Sequence, residues 1–587
     1  MNKILSCLLV LLCIYSYGQT IPQWRIADWT GVGIKKPMND DRVLLRIADF
    51  GGLGNGTTSN VIAWDEAISA LQGKPGIIEF DQGIYLFDRI ISIPSHTILR
   101  GKGAESTILR FVYPATGNLI SLQGRLDDDV AFLTRDAFRN DDFIILTTTD
   151  AFNAGDLVRI SMDDTGLVTS DWAKGTVGQI IEIKDQRHDT LFLSEQLRLD
   201  LPLQRQPVIR KIDPVKYAGI ECLKIVRGSN DAFQSNNISL EFASNCLING
   251  VESDSANLAH IAVSSSSHVE VRNCYLHDSY DYGGGGKGYG ILVQATSGDC
   301  LIENNIFKHL RHSMILQAGA NGNVFGYNYS IEPYWTGTTL PSNASGDLVL
   351  HGNYVFSNLF EGNIGQQIVI DDSHGINGPF NTFFRNRLES YGIFMNNNPP
   401  SDSQNLVGNE VTSTVFTQGL YLLFGKDHFQ YGNNIRGSIT PVGTEELSDT
   451  SYYLTKKPPF LDDISQYPII GTPNVFKSGK NSAAFNFTNG IFTRCGDDVI
   501  SGNQSISERE VSVALYPNPT RGNFIINGLK PGLGIRLYDI MGKLIFQQEV
   551  VNACINIDLS GFNNGLYFVN IMAAGGIVQT LKIVKMN

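Results

Sequence analysis

Only one stretch of this chain is long and apolar, and it stands at the very start: MNKILSCLLVLLCIYSYGQT. No later segment has the length and hydropathy of a membrane-spanning helix, so no membrane span is expected. Lys3, the apolar run and the small residues Ser16 and Gly18 read together as a secretory signal over residues 1–18, cut near Gln19. Cys13 makes a poor lipid-attachment site, because leucine fills positions before it where small residues are needed. Basic runs are missing too. Lys and Arg total 45 against 58 Asp and Glu, a net charge of -13, which argues against nucleic acid as a partner. Cysteine is sparse. Of eight, Cys7 and Cys13 fall in the signal, which leaves Cys222, Cys246, Cys274, Cys300, Cys495 and Cys554. Their spacing fits no zinc site. They read as small buried core residues, although Cys222 and Cys246 are placed to stack or bond across one repeat.

What the chain does have is a repeat. Apolar residues followed by asparagine recur at Asn249, Asn273, Asn305, Asn328, Asn363, Asn386, Asn409 and Asn433. Most gaps are 23 or 24 residues; two are 32 and 35. A fixed period near 23 marks a solenoid, in which no repeat buries its apolar face alone. The runs between the asparagines, such as ILVQ, MILQ, LVLH, IVID and IFMN, are short and β-rich, so they read as strands. The regular leucine pattern of a leucine-rich repeat is absent. The expected fold is all-β: a right-handed parallel β-helix with about three strands per coil. An asparagine at a fixed corner tolerates a left-handed turn and bonds the asparagine one coil away. The ladder is therefore read as structural.

The segments IADFGGLGNGTTSNVIAWDEAISAL (47–71), GIIEFDQGIYLF (76–87) and ISIPSHTILRGKGAESTILRF (91–111) resemble the N-terminal entry of the pectate lyase superfamily. That resemblance implies a short helix capping the open coil, with Trp64, Ala67, Ile68 and Leu71 at helical spacing. Ser59-Asn60 stands where that family has an acidic pair. It also implies a carbohydrate-active protein, without setting the reaction. Residues from about 115 to 215 break the period and read as a small inserted β subdomain within a β-helix domain of residues 19–495. A polar linker over 496–509 follows. Residues 510–587 carry YPNPT, LYDIMGK, GLYFV and LKIVK, and closely resemble the C-terminal sorting domain of the type IX secretion system of Bacteroidetes. On its own this tail reads as a small β-sandwich. The resemblance implies export across the outer membrane, with the type IX machinery as partner and the tail removed or used for surface attachment.

The two long gaps hold loops, CYLHDSYDYGGGGKGYG after Asn273 and YSIEPYWTGTTLPSNASGD after Asn328. Both leave from the same corner, two coils apart, and insertions in repeat proteins gather on the binding face. Aligning the following strand coil by coil gives an outward polar column of Gln294, Gln317, His351, Asp371 and Asn396. A second column, read the same way, is Gly290, Ser313, Asp347, Gln367 and Gly392. The GGGGKG stretch is no phosphate loop: Asp281 stands where the first glycine belongs and Gly288 where Ser or Thr binds magnesium.

None of the specific catalytic motifs of pectate lyases or polygalacturonases is found, but with the carbohydrate role that the resemblance implies, the first expectation for this groove is β-elimination on a uronic-acid-containing polysaccharide. Arg311 and Lys287 would meet the anion, His312 or His351 would take the proton, and Asp371 would orient His351. Tyr289 or Tyr282 would protonate the leaving oxygen. Gln294, Gln317, Tyr334, Trp335 and Arg385 would bind the chain, and Tyr282 is a further binding candidate. Asp371 with Asp372 would hold calcium, if a cation replaces the arginine. Two other readings stand beside it: a glycoside hydrolase using Asp347, Asp371 and Asp372, and a non-catalytic glycan-binding surface protein. A monomer is expected.

Overall fold

The computed structural model describes residues 19–587, apart from 36–37, 39–40, 113–116, 231–233, 338–342, 462–466, 496–513, 528, 530–532, 541, 552–553, 574–575 and 587. The signal at 1–18 and the linker at 496–509 lie outside the described residues. The chain divides into two compact units, at Gln504 and Ser505.

The first unit is a parallel β-helix. One face is a twelve-stranded sheet running from Val43–Arg46 to Phe429–Tyr431. The other faces chain together in a larger network, where Tyr275–Ser279 lies under Ile306–Lys308, and Tyr289–Gln294 under His312–Leu316. Pairing between coils is parallel and in register, so each inward position stacks on its equivalent one coil away. Phe325, Phe360 and Phe383 show this best: their rings stack at 5.1 Å per step in the middle of the core. The apolar area removed from water along this column is the main source of its stability.

The N-terminal end is closed by the helix Val61–Leu71, which buries Ala63, Trp64, Ala67 and Leu71. Ile68 packs half-buried on the same core. Asn60 is buried and accepts from the Leu53 N–H while donating to the Leu53, Thr58 and Leu86 carbonyls. The residue that replaces an acid thus fixes the cap by neutral hydrogen bonds.

An antiparallel sheet leaves the coil after Gln123 and returns at Val215. Its main strands are Leu157–Ser161, Gly178–Arg187, Thr190–Leu193 and Val208–Asp213. The coil closes beneath it without a gap, since Thr97–Arg100 pairs directly with Gly219–Glu221. The inserted core includes Val158, Ile181 and Leu191 and is continuous with Ala318 and Phe356 of the coil.

The asparagine repeat is two ladders, not one. Asn273 donates to Asn249 and Asn304 donates to Asn273. One residue later a second column begins at Asn305 and runs through Asn328, Asn363, Asn386, Asn409 and Asn433, each amide donating to the next. In this column the left-handed turn is taken by the residue before the asparagine, including Asn304, Tyr327, Gly362 and Arg385. These asparagines therefore serve as bonding groups and not as turn formers. A further column that the sequence reading missed runs through Asn323, Asn358, Asn381 and Gln404 at another corner.

Both ends of the unit lie across the coils. Arg25 bonds Asn405, Trp29 bonds the Ser357 carbonyl, and the Gly33 N–H donates to the Asp299 carbonyl. From the other end, Tyr453 bonds Glu303, and Asn481 donates to the Asn328 and Gly362 carbonyls. Arg385, expected in the groove, is buried under this C-terminal segment, where it donates to the Leu447, Asp449, Ile470 and Thr472 carbonyls.

The second unit has two antiparallel sheets, one of three strands and one of four. Phe524, Ile526, Leu537, Val569 and Ile583 share one core.

Candidate active site

The strands Tyr289–Gln294, His312–Leu316, Leu348–Leu350 and Ile364–Ile370 form the floor of a cleft of about 580 Å³. Ile291 and Val293 point into the coil, so Leu292 and Gln294 point out. The register pairs Val293 with Leu316, Leu316 with Leu350, and Leu350 with Ile370. One residue on, Gln294, Gln317, His351 and Asp371 therefore stand in one outward row. The walls come from Gly285 and Gly286 of the glycine loop, from Arg311, from Ser373 and His374, and from Trp172 of the inserted subdomain. None of the described residues lining the cleft is Asp or Glu.

His351 is the centre of the row. Its Nδ1 lies 2.5 Å from Asp371 Oδ2, off the line of an ideal hydrogen bond. Burial alone would raise the Asp371 carboxyl. The His351 contact, with the hydroxyl and N–H of Ser373, outweighs it and holds the group below the usual carboxylate range. An ionised Asp371 fixes the proton of His351 on Nδ1 and leaves Nε2, which has no partner among the described residues, as a lone pair toward the cleft.

Tyr289 and Arg311 complete the pair's surroundings. Tyr289 is buried on the apolar floor with Leu292 and Ile315, and its hydroxyl makes no hydrogen bond among the described residues. Burial raises its pKa against the pull of Arg311. Arg311 sits over the rings of Tyr289 and Trp335, at 5.7 and 5.0 Å. One terminal nitrogen donates to the Gly283 carbonyl at 2.7 Å, while among the described residues Nε is buried without a partner and the other terminal nitrogen has none.

His312 does not line the cleft. Its Nδ1 donates to the Gly346 carbonyl, and burial, with Arg311 and His351 nearby, pushes its pKa down to about 3. It is a neutral support packed between Tyr289 and His351, with ring centroids at 5.2 and 5.7 Å. His374, which the sequence offers with Asp371 and Asp372 in DDSHGINGP as part of either a tight turn or a metal and carboxylate site, stands edge-on to His351 at 4.8 Å and bonds the Ser170 hydroxyl of the inserted subdomain. Only the fold brings Ser170 and Trp172 here, since no repeat pattern reaches them.

Several expected site residues lie elsewhere. Lys287 pairs with Asp281 within its own loop and does not line the cleft. Tyr282, His309 and Tyr334 pack ring against ring and tie the two long loops together. Trp335 lies against Arg311, outside the cleft lining. Gln294 and Gln317 do line the cleft, each with its amide partly used, Gln317 donating to Gln294 and Gln294 to Ser264.

Asp347 was read as outward, and this fails. It is sealed inside the coil, accepting from the Ser330 hydroxyl and the Gln366 and Gln367 N–H groups, with its pKa pushed up to about 6 by burial. The strand bends at that corner, so simple alternation breaks down. Asp372 accepts from the Asn396 amide at 2.9 Å and from the Asn398 N–H, and the same amide reaches Asp371 at 3.5 Å. No group of three His, Cys, Asp or Glu donors among the described residues includes either, and no step is assigned to a cation.

Comparison with known proteins agrees with this architecture. Residues 224–376 match the family model of the right handed beta helix region, and residues 514–586 that of the secretion system C-terminal sorting domain. The chain thus carries a right-handed β-helix and a type IX sorting domain, and it is secreted by that system to the cell surface or the extracellular space. No curated protein matches it in sequence. Similar solved structures include the tailspike protein gp49 from Pseudomonas phage LKA1, 16% identical with a TM-score of 0.40. That match covers 63% of this chain and 64% of the tailspike, just under two thirds of its length. A hyperthermoactive exopolygalacturonase from Thermotoga maritima is 15% identical with a TM-score of 0.39, over 68% of this chain and 88% of that one. PorZ, a surface component of the type IX system of Porphyromonas gingivalis, is 23% identical with a TM-score of 0.13, over 14% of this chain and 13% of that one.

Proposed function

We propose that the cleft is the active site of a secreted polysaccharide lyase that cleaves uronate-containing chains by β-elimination. One observation carries this reading. On a chain of net charge -13, the cleft is lined by Arg311, His351 and His374 and by no described acid. The carboxylate beside it, Asp371, is paired with His351, so an anionic polymer meets no unpaired like charge among the lining residues.

The reaction needs a partner for the uronate carboxylate, a base for the adjacent C–H and an acid for the leaving oxygen. Arg311 offers its unspent nitrogen to the carboxylate. His351 Nε2 takes the proton, and Asp371 stabilises the imidazolium that forms. The Tyr289 hydroxyl, kept protonated by burial, gives its proton to the leaving oxygen. Exchange with solvent resets both groups.

A two-carboxylate hydrolase finds less support. Of its three candidates, Asp347 is inside the coil, Asp371 is taken up by His351 and Asp372 by the 396–398 segment.

The test is a panel of uronans and neutral glycans, read by the ultraviolet absorbance of unsaturated product and by new reducing ends. Both signals together on a uronan, lost in Tyr289→Phe and His351→Ala, support the lyase. Reducing ends without unsaturated product would sink it in favour of hydrolysis. Binding without any product would leave a glycan-binding surface protein.

A further inference from the structure

All six cysteines of the described residues are unbridged in the structure, and two of them stand together. Cys222 ends a coil corner in the left-handed conformation, and its N–H donates to the Asn249 carbonyl. Glu221 pairs with Asn249, so Cys222 lies directly beneath Gly250 of the next coil. Cys495 arrives from the far end of the C-terminal segment. Its neighbour Arg494 donates to the Asn273 carbonyl, and its Sγ lies 3.8 Å from the Gly250 carbonyl oxygen. A β-carbon at Gly250 would sit 2.9 Å from that sulfur. Neighbouring coils are about 4.8 Å apart, so the Cys222 side chain, one coil below, reaches the same sulfur. Glycine at 250 is what leaves the space.

We propose that Cys222 and Cys495 form a disulfide in the exported protein. Each sulfur acts on the other's ionisation. The interaction raises Cys222 and lowers Cys495, so Cys495 is the sulfur that ionises first. The remaining coil cysteines are poor competitors. Cys246, Cys274 and Cys300 are sealed in the coil, where burial pushes each up to about 12. The pairing of Cys222 with Cys246 expected from their spacing does not occur, because Cys246 points into the core.

The step balances with an oxidant outside this chain, a dithiol–disulfide oxidant protein of the periplasm. Cys495 thiolate attacks its disulfide, Cys222 thiolate attacks the Cys495 sulfur of the mixed disulfide and releases the oxidant, and the two thiol protons and two electrons end on the oxidant as its dithiol. The product closes the β-helix domain on itself at its last described residue before the sorting domain.

The test is peptide mapping of the full protein purified after export, alkylated without reduction. A linked pair of peptides holding Cys222 and Cys495, lost on reduction, is the expected result. Free alkylated Cys222 and Cys495, or Cys495 linked to the exposed Cys554, overturns the proposal. Because Cys222 occupies a strained corner, the second readout uses the exposed Cys495. Cys495→Ser should lower the melting temperature by a few degrees without reductant and match the wild type with it. An unchanged melting temperature in both conditions also overturns it.

Discussion

Two rows of polar side chains run along this coil at the same spacing, and they do opposite things. In the row from Asn305 to Asn433 every amide is spent. Asn386, for one, donates to the Phe360 carbonyl and to Asn409, and accepts from the N–H and amide of Asn363. In the row Gln294, Gln317, His351 and Asp371 each group touches its neighbour but keeps some capacity open, above all His351 Nε2. Stacking in register is common to both. A ladder becomes a site where its polar groups are left unfinished and a cleft admits water and substrate to them.

The sharpest way to break the contrast is His351→Ala. On a uronan it should lower turnover by about a thousandfold, the scale of losing a positioned base, with only a small change in melting temperature. Asn386→Ala should do the reverse. It strands the Phe360 carbonyl and the Asn363 donors, which should cost about 3 kcal/mol in chemical denaturation while the folded fraction keeps its turnover.

A third test concerns a buried acid away from the cleft. Burial pushes Glu303 up to about 8, with the Tyr453 hydroxyl bonded to it. Its folded pKa lies above its unfolded value, so its protonated form is favoured on folding and stability falls as pH rises from about 4.5 to about 8. Glu303→Gln should remove that loss, gaining roughly 1–3 kcal/mol near pH 9 and little near pH 4, measured by denaturation at both. The smallest effect should come from Lys287→Ala. Its pairing with Asp281 is exposed, so turnover should change less than about threefold.

The coil, its cap and the outward row were legible because period 23 along the chain and period 2 along a strand are direct images of the fold. What escaped were places where those periods stop. At Asp347 the strand turns a corner and the inside-outside alternation slips. Arg385 follows a repeat apolar run and looked exposed, but a segment some 60–90 residues later covers it. Asn273 and Asn305 share a spacing yet belong to adjacent columns, a difference of one residue that composition cannot reveal. Trp172, Ser170 and His374 meet through the inserted subdomain, whose docking leaves no periodic trace. Tyr282 and Tyr334 sit on the right loops, but their rings satisfy each other first.

The two terminal segments that cross the coils also change how the domain is held together. A bare solenoid is close to a one-dimensional chain of neighbours, free to open coil by coil from either end. Here Arg25 near one end of the β-helix domain and Asn481 near the other bond coils far from them in sequence, at Asn405 and at Asn328. Opening any one coil then disturbs contacts that several others share. The β-helix should unfold as a single cooperative body, and the last part of that body to lock is the segment that emerges last.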